Sequence, residues 1–120
     1  MGKEINLLKN YPKSNRNINE RLASKTEENR YIARKFDKEF FDGDRSTGYG
    51  GFKYNEKYWK NVVSDFKDYW KLKDDSSILD VGCAKGFMLY DFKKLLPNLK
   101  VKGVDISKYA IEYSIENIKP

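Results

Sequence analysis

The sequence predicts an α/β protein in which N-terminal helices precede the first β-α-β-α unit of a parallel sheet. Two observations support this prediction. Residues 55–71 place aromatic and aliphatic side chains at helical spacing, and residues 78–118 alternate between short apolar strands and amphipathic helices. Strand, helix, strand and helix in this order predict parallel strands that are joined by a right-handed crossover.

The size of the chain limits what it can build. It has 120 residues, of which 39% are hydrophobic and 35% are charged. This is enough for one small domain but short for a complete layered α/β enzyme, which needs about 150 residues or more, so we expect an incomplete domain. No apolar run approaches the roughly 20 residues of a membrane span, and no signal peptide is recognisable, so we predict a cytoplasmic location without membrane contact.

Two residue types exclude whole classes of chemistry. The chain has one cysteine and no histidine. A single cysteine excludes an internal disulfide framework and fits a reducing compartment. Without histidine, the chain cannot form a Ser-His-Asp or Cys-His catalytic unit or a histidine-based metal site, and we predict no bound metal.

The net charge of +6 is concentrated near the N-terminus, where residues 1–38 hold ten Lys or Arg against five Asp or Glu. Such a basic arm could attract nucleic acid. Basic residues interleaved with acidic ones on a helix are, however, more typical of a solvated surface. No RNA-binding signature accompanies the charge, so nucleic acid is a possible but not a favoured partner.

The N-terminal part divides into an arm and a helical extension. Residues 1–18 have turn-forming composition and are predicted to form a flexible basic arm. Residues 19–73 are predicted to form a helical extension, which begins with a charged amphipathic helix from Asn19 to about Phe40.

A loop and an aromatic helix follow. Residues 43–54 are rich in glycine and aromatic residues, which predicts a loop. Asn55 is the predicted N-cap of a helix that ends near Lys71 and buries one aromatic stripe in the core. The members of this stripe are Trp59, Val62, Val63, Phe66 and Trp70.

Residues 74–120 are predicted to begin a cofactor-binding domain. The strands are expected at 78–81 and 100–105, and a helix N-capped by Ser107 is expected at 109–118. The helix between the strands should turn its apolar residues inward and stop at Pro97. These inward residues are Met88, Leu89, Phe92, Leu95 and Leu96.

A glycine turn joins the first strand to its helix. Gly82 permits a tight turn and Gly86 permits close helix packing, while the helix N-terminus is expected to offer free N–H groups to a ligand anion. A P-loop is excluded because no Lys-Ser or Lys-Thr pair follows Gly86. Ala84 stands where the dinucleotide fingerprint requires glycine. Lys85 is expected to be exposed on the turn.

Two aspartates restrict the ligand further. The carboxylate of Asp80, just before the turn, would repel a pyrophosphate but suits an ammonium group. Asp105 ends the second strand, where a carboxylate can accept hydrogen bonds from both hydroxyls of a ribose. A nucleoside joined to an amino acid meets both demands. Either aspartate alone could instead be a turn or capping residue.

The pattern Asp80-x-Gly82-x-x-x-Gly86, followed by Val104-Asp105, resembles motifs I and II of the class I S-adenosylmethionine-dependent methyltransferases. The resemblance implies a Rossmann-like methyltransferase fold, incomplete in this chain, with S-adenosylmethionine as the cofactor. It also implies that Asp80 helps to hold the amino group of the cofactor and that Asp105 binds its ribose. The motifs therefore indicate a methyltransferase.

The resemblance implies further contacts around the motifs. The glycine turn would lie against the methionine part of the cofactor, through Gly82, Cys83, Ala84 and Gly86, with Cys83 contributing its backbone. Ile106 would border the adenine, and a loop that can cover the cofactor makes Tyr49 and Tyr54 second candidates. The commonest pattern of the family has glycine at the position of Ala84.

Two other functions stay open at this point: a fragment of an NAD-type oxidoreductase, and a non-catalytic binding module with a basic arm. The methyl acceptor is unknown, with a small molecule mildly preferred. No catalytic residue is assigned, and activity of the 120 residues alone is not expected. Because two parallel strands leave apolar surfaces uncovered, self-association of the chain is a further expectation.

Overall fold

The computed structural model describes residues 2–12, 26–43 and 53–115. Within these residues it is a mixed α/β structure, as predicted. None of the helices in this part of the chain is long and apolar enough to span a membrane. In chain order the elements are α1 (Glu27–Ala33), α2 (Lys38–Asp42), α3 (Glu56–Trp70), β1 (Ser77–Val81), α4 (Phe87–Leu95), β2 (Lys100–Val104) and α5 (Lys108–Glu112).

The two strands form a parallel sheet. Ile78 lies opposite Val101, and Val81 lies opposite Val104. Helix α4 makes the connection between them, which confirms the predicted strand-helix-strand order. Because the strands are parallel, their carboxyl ends meet at one edge of the sheet, and the glycine turn and Asp105 follow directly there.

The core lies on one face of this sheet, where α3 and α4 pack against each other. Its buried members are Val63, Phe92, Leu96 and Leu99, with Trp59, Phe66, Leu72, Ile78, Met88 and Val101 partly buried against them. Two predicted core residues are wrong: Trp70 is 52% exposed and Leu95 is 38% exposed. Each is the last residue of its helix, whereas Leu96, which was also predicted to face inward, is buried.

The opposite face of the sheet is exposed, and its apolar side chains lie toward the carboxyl ends of the strands, beyond Lys100 and Lys102. Side chains alternate between the two faces of a strand, so Leu79 and Val81 point away from the core that Ile78 joins. Val104 and Ile106 are exposed as well, and the phenylalanines around α2 leave an open hollow beside them. Parallel sheets are normally covered on both faces.

The predicted helix from Asn19 to about Phe40 is wrong over its described part, from residue 26 onward. The structure has two short helices there, α1 and α2, with a break at Phe36, whose φ of 49° is left-handed. Asp37 then caps α2 by accepting a hydrogen bond from the N–H of Lys38 at 2.9 Å. A capping side chain between two apolar positions thus interrupts the helical period. Residues 19–25 lie outside the described part.

Helix α5 is shorter than the predicted 109–118. Ser107 is its N-cap, as predicted, and accepts from the N–H of Ala110 at 3.1 Å. The helix ends at Glu112, and the N–H of Ile115 donates to the carbonyl of Lys85 at 3.0 Å. This bond draws the chain back toward the glycine turn.

The described part of the N-terminal arm docks on α3. The ring of Tyr11 lies edge-on to Trp59, with 5.0 Å between centroids, and 5.6 Å from Tyr58. The side-chain amide of Asn10 donates to Asp65 at 2.5 Å. These contacts attach residues 2–12 to the same helix that closes the core.

We predict that Asn55→Ala lowers the free energy of unfolding by about 0.5 to 2 kcal/mol. The Asn55 side chain accepts from the N–H of Lys57 at 3.0 Å, and alanine leaves that donor without its cap. Urea unfolding followed by far-UV circular dichroism measures the change. Asn61→Ala, on the exposed side of the same helix, is the matched control and should cause no loss. An equal effect of both substitutions would contradict the capping role.

Candidate cofactor-binding site

The turn after β1 depends on left-handed backbone conformations. Gly82 and Gly86 both have φ of 81°, and Ala84 has φ of 52°. Glycine adopts this conformation freely, whereas an L-residue such as alanine loses about 1 to 2 kcal/mol in it. The backbone at Ala84 therefore follows the path that glycine would favour there.

The N–H groups of the turn bind the end of β2. The N–H groups of Gly82 and Cys83 both donate to the carbonyl of Val104, at 2.7 and 3.1 Å. The N–H of Ala84 donates to Oδ2 of Asp105 at 2.8 Å. These three N–H groups are therefore used at the sheet edge and are not free for a ligand anion.

Asp105 has a structural role at this edge. Besides Ala84, its carboxylate accepts from the N–H of Ser107, through Oδ1, at 2.8 Å. Asp105 also lines an open cleft at the strand ends. An ionised carboxylate offers about four acceptor sites, so two hydrogen bonds leave capacity for the hydroxyl groups of a ligand.

Asp80 is different because its carboxylate has no partner among the residues that the structure describes. The side chain is half-buried, and no residue within 2–12, 26–43 or 53–115 forms a hydrogen bond or ion pair with it. Burial, and then the charge of Asp105, raise the pKa of Asp80. A carboxylate in this situation gains from a nearby cation.

Two hollows meet at the turn and share Gly82 and Ala84. The larger has a volume of about 580 Å³, and its other lining residues are Phe36, Phe40, Phe41, Val81, Val104, Asp105 and Ile106. The smaller has a volume of about 160 Å³, and its other lining residues are Trp59, Asp80, Cys83, Lys85, Phe87 and Met88. One hollow is thus apolar and aromatic, and the other carries the carboxylate of Asp80, which has no partner in the described part of the chain.

The aromatic wall of the larger hollow comes from the segment around α2. Phe40 lies edge-on to Phe36, at 5.1 Å between centroids, and to Phe41, at 4.9 Å. Sequence reasoning missed this wall because it placed Phe36 and Phe40 on the apolar stripe of one helix. The crowding of three phenylalanines within six residues was the available signal. Ile106, 82% exposed, lines the same hollow.

A partly buried ion pair joins this wall to the glycine turn. Lys85 is 7% exposed and forms an ion pair with Asp42, at the end of α2, so the expectation that Lys85 is exposed was wrong. The other oxygen of Asp42 accepts from the hydroxyl of Tyr109, on α5, at 2.5 Å. Turn, wall and α5 are therefore connected through one carboxylate.

The contacts within this cluster shift the pKa values of Asp42 and Tyr109. Burial by itself would raise the pKa of Asp42, but hydrogen bonds from Lys85 and Tyr109, together with nearby positive charge, lower it. The same hydrogen bond to Asp42, assisted by burial, raises the pKa of Tyr109 to about 12. Asp42 is thus stabilised as the anion.

Of the two tyrosine candidates, the structure describes Tyr54. Tyr54 donates its hydroxyl to the buried carboxyl of Asp91 on α4, and its ring lies 4.8 Å from Tyr90 and 5.9 Å from Phe87. It is absent from the described lining of both hollows. Burial and the hydrogen bond to Asp91 raise the pKa of Tyr54. Tyr49 lies outside the described residues.

Cys83 fills space in the turn. A Cβ atom on Gly103 would lie 2.6 Å from its Sγ, so β2 needs glycine where the thiol packs. Burial, and then the charges of Asp80 and Asp105, raise the pKa of the Cys83 thiol. This environment disfavours the reactive thiolate and supports a packing role. Among the described residues, no group of acidic, cysteine or histidine side chains is suited to hold a metal.

Hollows at the carboxyl ends of parallel strands are typical of α/β domains that bind a ligand there. Residues 72–120 match the family model of a methyltransferase domain. This match confirms the resemblance found in motifs I and II. No curated protein and no solved structure matches the chain.

We predict that Ala84→Gly leaves the fold intact and raises the free energy of unfolding by up to about 1 kcal/mol. Relief of the left-handed strain is partly offset by the greater entropy of glycine in the unfolded chain. Urea unfolding tests this. Ala110→Gly, inside α5, is the control and should destabilise the protein. A clear loss of stability in Ala84→Gly would show that alanine is unstrained there.

We predict that Lys85→Met lowers the free energy of unfolding at pH 7 by about 1 to 3 kcal/mol, because it removes a charged hydrogen-bond donor from Asp42. Lys94→Met is the control, since Lys94 and Glu56 form an exposed pair at 3.6 Å. Equal free energies of unfolding in the two variants would show that the pair of Lys85 and Asp42 stabilises the fold no more than an exposed pair does.

The same variant should change the response to acid. The folded state lowers the pKa of Asp42 from its ordinary 3.8, so the associated stability is present above that value and is lost as pH falls through the folded-state pKa. Acid unfolding curves of the wild type and Lys85→Met should therefore converge at low pH.

Proposed function

We propose that the chain binds S-adenosylmethionine and forms the cofactor-binding part of an S-adenosylmethionine-dependent methyltransferase with a Rossmann-like fold. The observation that carries this proposal is the carboxylate of Asp80, half-buried beside the turn and without a cationic partner in the described part of the chain. A ligand with an ammonium group supplies the missing charge.

The two hollows suit the two ends of such a ligand. The apolar and aromatic hollow can take a flat nucleobase against Phe36, Phe40 and Ile106. Asp105, at its edge, has acceptor capacity for ribose hydroxyls. Asp80, in the smaller hollow, would hold the ammonium group of the amino-acid end. The turn that separates the aspartates carries the glycines of motif I.

The chain's contribution to catalysis would be binding and orientation. S-adenosylmethionine, when bound, supplies a methyl group on a sulfonium, which an acceptor nucleophile can displace in line. The residues named above would fix both ends of the cofactor, and the rate of such a displacement depends strongly on positioning. A small-molecule acceptor is our preference, and the described residues include no assigned acceptor site.

A dinucleotide is the poorer ligand for this site. Its pyrophosphate would meet the two carboxylates of Asp80 and Asp105. It would also need N–H donors from the turn, and those of Gly82, Cys83 and Ala84 already bind the end of β2. The geometry therefore favours S-adenosylmethionine over NAD.

We predict that the chain binds S-adenosylhomocysteine in preference to NAD, and that Asp80→Asn weakens this binding by about 1 to 3 kcal/mol, or about 5- to 150-fold in Kd. Isothermal titration calorimetry measures both. Asp75→Asn, on an exposed turn, is the matched control and should bind like the wild type. Asp105 is the less informative target, because its removal also releases the turn.

The pH dependence gives a second readout. A cationic ligand binds the ionised form of Asp80, whose pKa the fold raises, so affinity should fall as pH decreases through that value. Asp80→Asn should abolish this part of the pH dependence. Preference for NAD, or an unchanged affinity in Asp80→Asn, would sink the proposal.

A further inference from the structure

Trp59 stands where the core meets the smaller hollow. Its side chain is partly buried against the core, and it lines the hollow that contains Asp80. Trp70, eleven residues later in the same stripe, is largely exposed and lines neither described hollow. The sequence predicted a core role for both tryptophans, and the structure gives Trp59 a second environment.

The position of Trp59 is set from two sides. The core packs against it from one side, and the edge-on ring of Tyr11 contacts it from the docked arm. The bond between Asn10 and Asp65 attaches that arm to α3. An indole held in this way is already oriented before any ligand arrives, which lowers the entropy lost on binding.

The electrostatics of the hollow favour a cation. Its lining carries the Asp80 carboxylate, and its lysine, Lys85, forms an ion pair with Asp42. The face of an indole attracts cations more strongly than any other aromatic side chain. Carboxylate and indole in one small hollow therefore suit a single compact positive group, such as a primary ammonium.

We propose that Trp59 is a specificity-determining residue of this site, and that its indole and the Asp80 carboxylate together take the ammonium group at the amino-acid end of the cofactor. The inference rests on the proposed function and deepens it. Trp59 acts on binding and selectivity, and takes no part in the bond-making step.

Two ligands separate this role from simple packing. S-adenosylhomocysteine carries the ammonium group, whereas 5′-methylthioadenosine has the same adenosine thioether without the amino-acid end. In Trp59→Leu, we expect the Kd for S-adenosylhomocysteine to rise by about 3- to 30-fold, the range of a desolvated cation–π contact. The Kd for 5′-methylthioadenosine should stay within about twofold of its wild-type value. Trp70→Leu is the matched control and should change neither.

The ratio of the two affinities makes the test independent of folding. Each ligand is titrated separately into the same preparation of the variant. Partial unfolding of that preparation reduces both apparent affinities by the same factor, so their ratio does not change. Trp59→Phe keeps an aromatic face and should retain most of the preference for S-adenosylhomocysteine. This conservative variant distinguishes loss of the ring from loss of volume.

Each outcome decides between the two proposals. Equal weakening of both ligands in Trp59→Leu, or no weakening of either, would overturn the role of Trp59 and leave the proposed function standing. Failure of the wild-type chain to bind either ligand would overturn the proposed function itself, and this inference with it. Selective loss of S-adenosylhomocysteine affinity supports both.

Discussion

The site depends on the hydrogen bonds by which the glycine turn binds the end of β2. Val104 accepts from two successive N–H groups of the turn, at 2.7 and 3.1 Å, and Asp105 accepts from the next. These bonds extend the parallel pairing past the last residue of β1. They set the separation of Asp80 and Asp105, and hence which charges a ligand meets on the two sides of the turn.

Segments that precede the family match contribute side chains to the candidate site. The family match covers residues 72–120, yet the aromatic wall, Asp42 and Trp59 all precede it. The ion pair between Lys85 and Asp42 connects the glycine turn to α2. The lysine side chain is almost fully buried, and the aspartate side chain is partly exposed. Separating the two side chains would leave a shielded charge uncompensated, which is unfavourable. The pair therefore couples the position of the aromatic wall to that of the glycine turn.

Local signals predicted most of the fold, because caps, strands and turns are determined over a few residues. Asn55 and Ser107 cap the helices that they were predicted to cap, and both strands lie where short apolar runs indicated. The same kind of local signal singled out Asp80 and Asp105, which the structure places in the two hollows beside the glycine turn. Contacts between residues far apart in the sequence could not be predicted from local patterns. Nothing near Lys85 in the sequence indicates Asp42, and the helical period treats Trp59 and Trp70 alike although only one lies beside the turn.

The bonds to Val104 also restrict how the turn can move. An amide that donates within a sheet exchanges its proton with solvent only when that part of the sheet opens. The amides of Gly82 and Cys83 are therefore coupled to the strand pairing and should exchange as slowly as β2 does. A turn with this protection is a fixed part of the sheet edge, and its backbone moves only when the strand pairing itself opens.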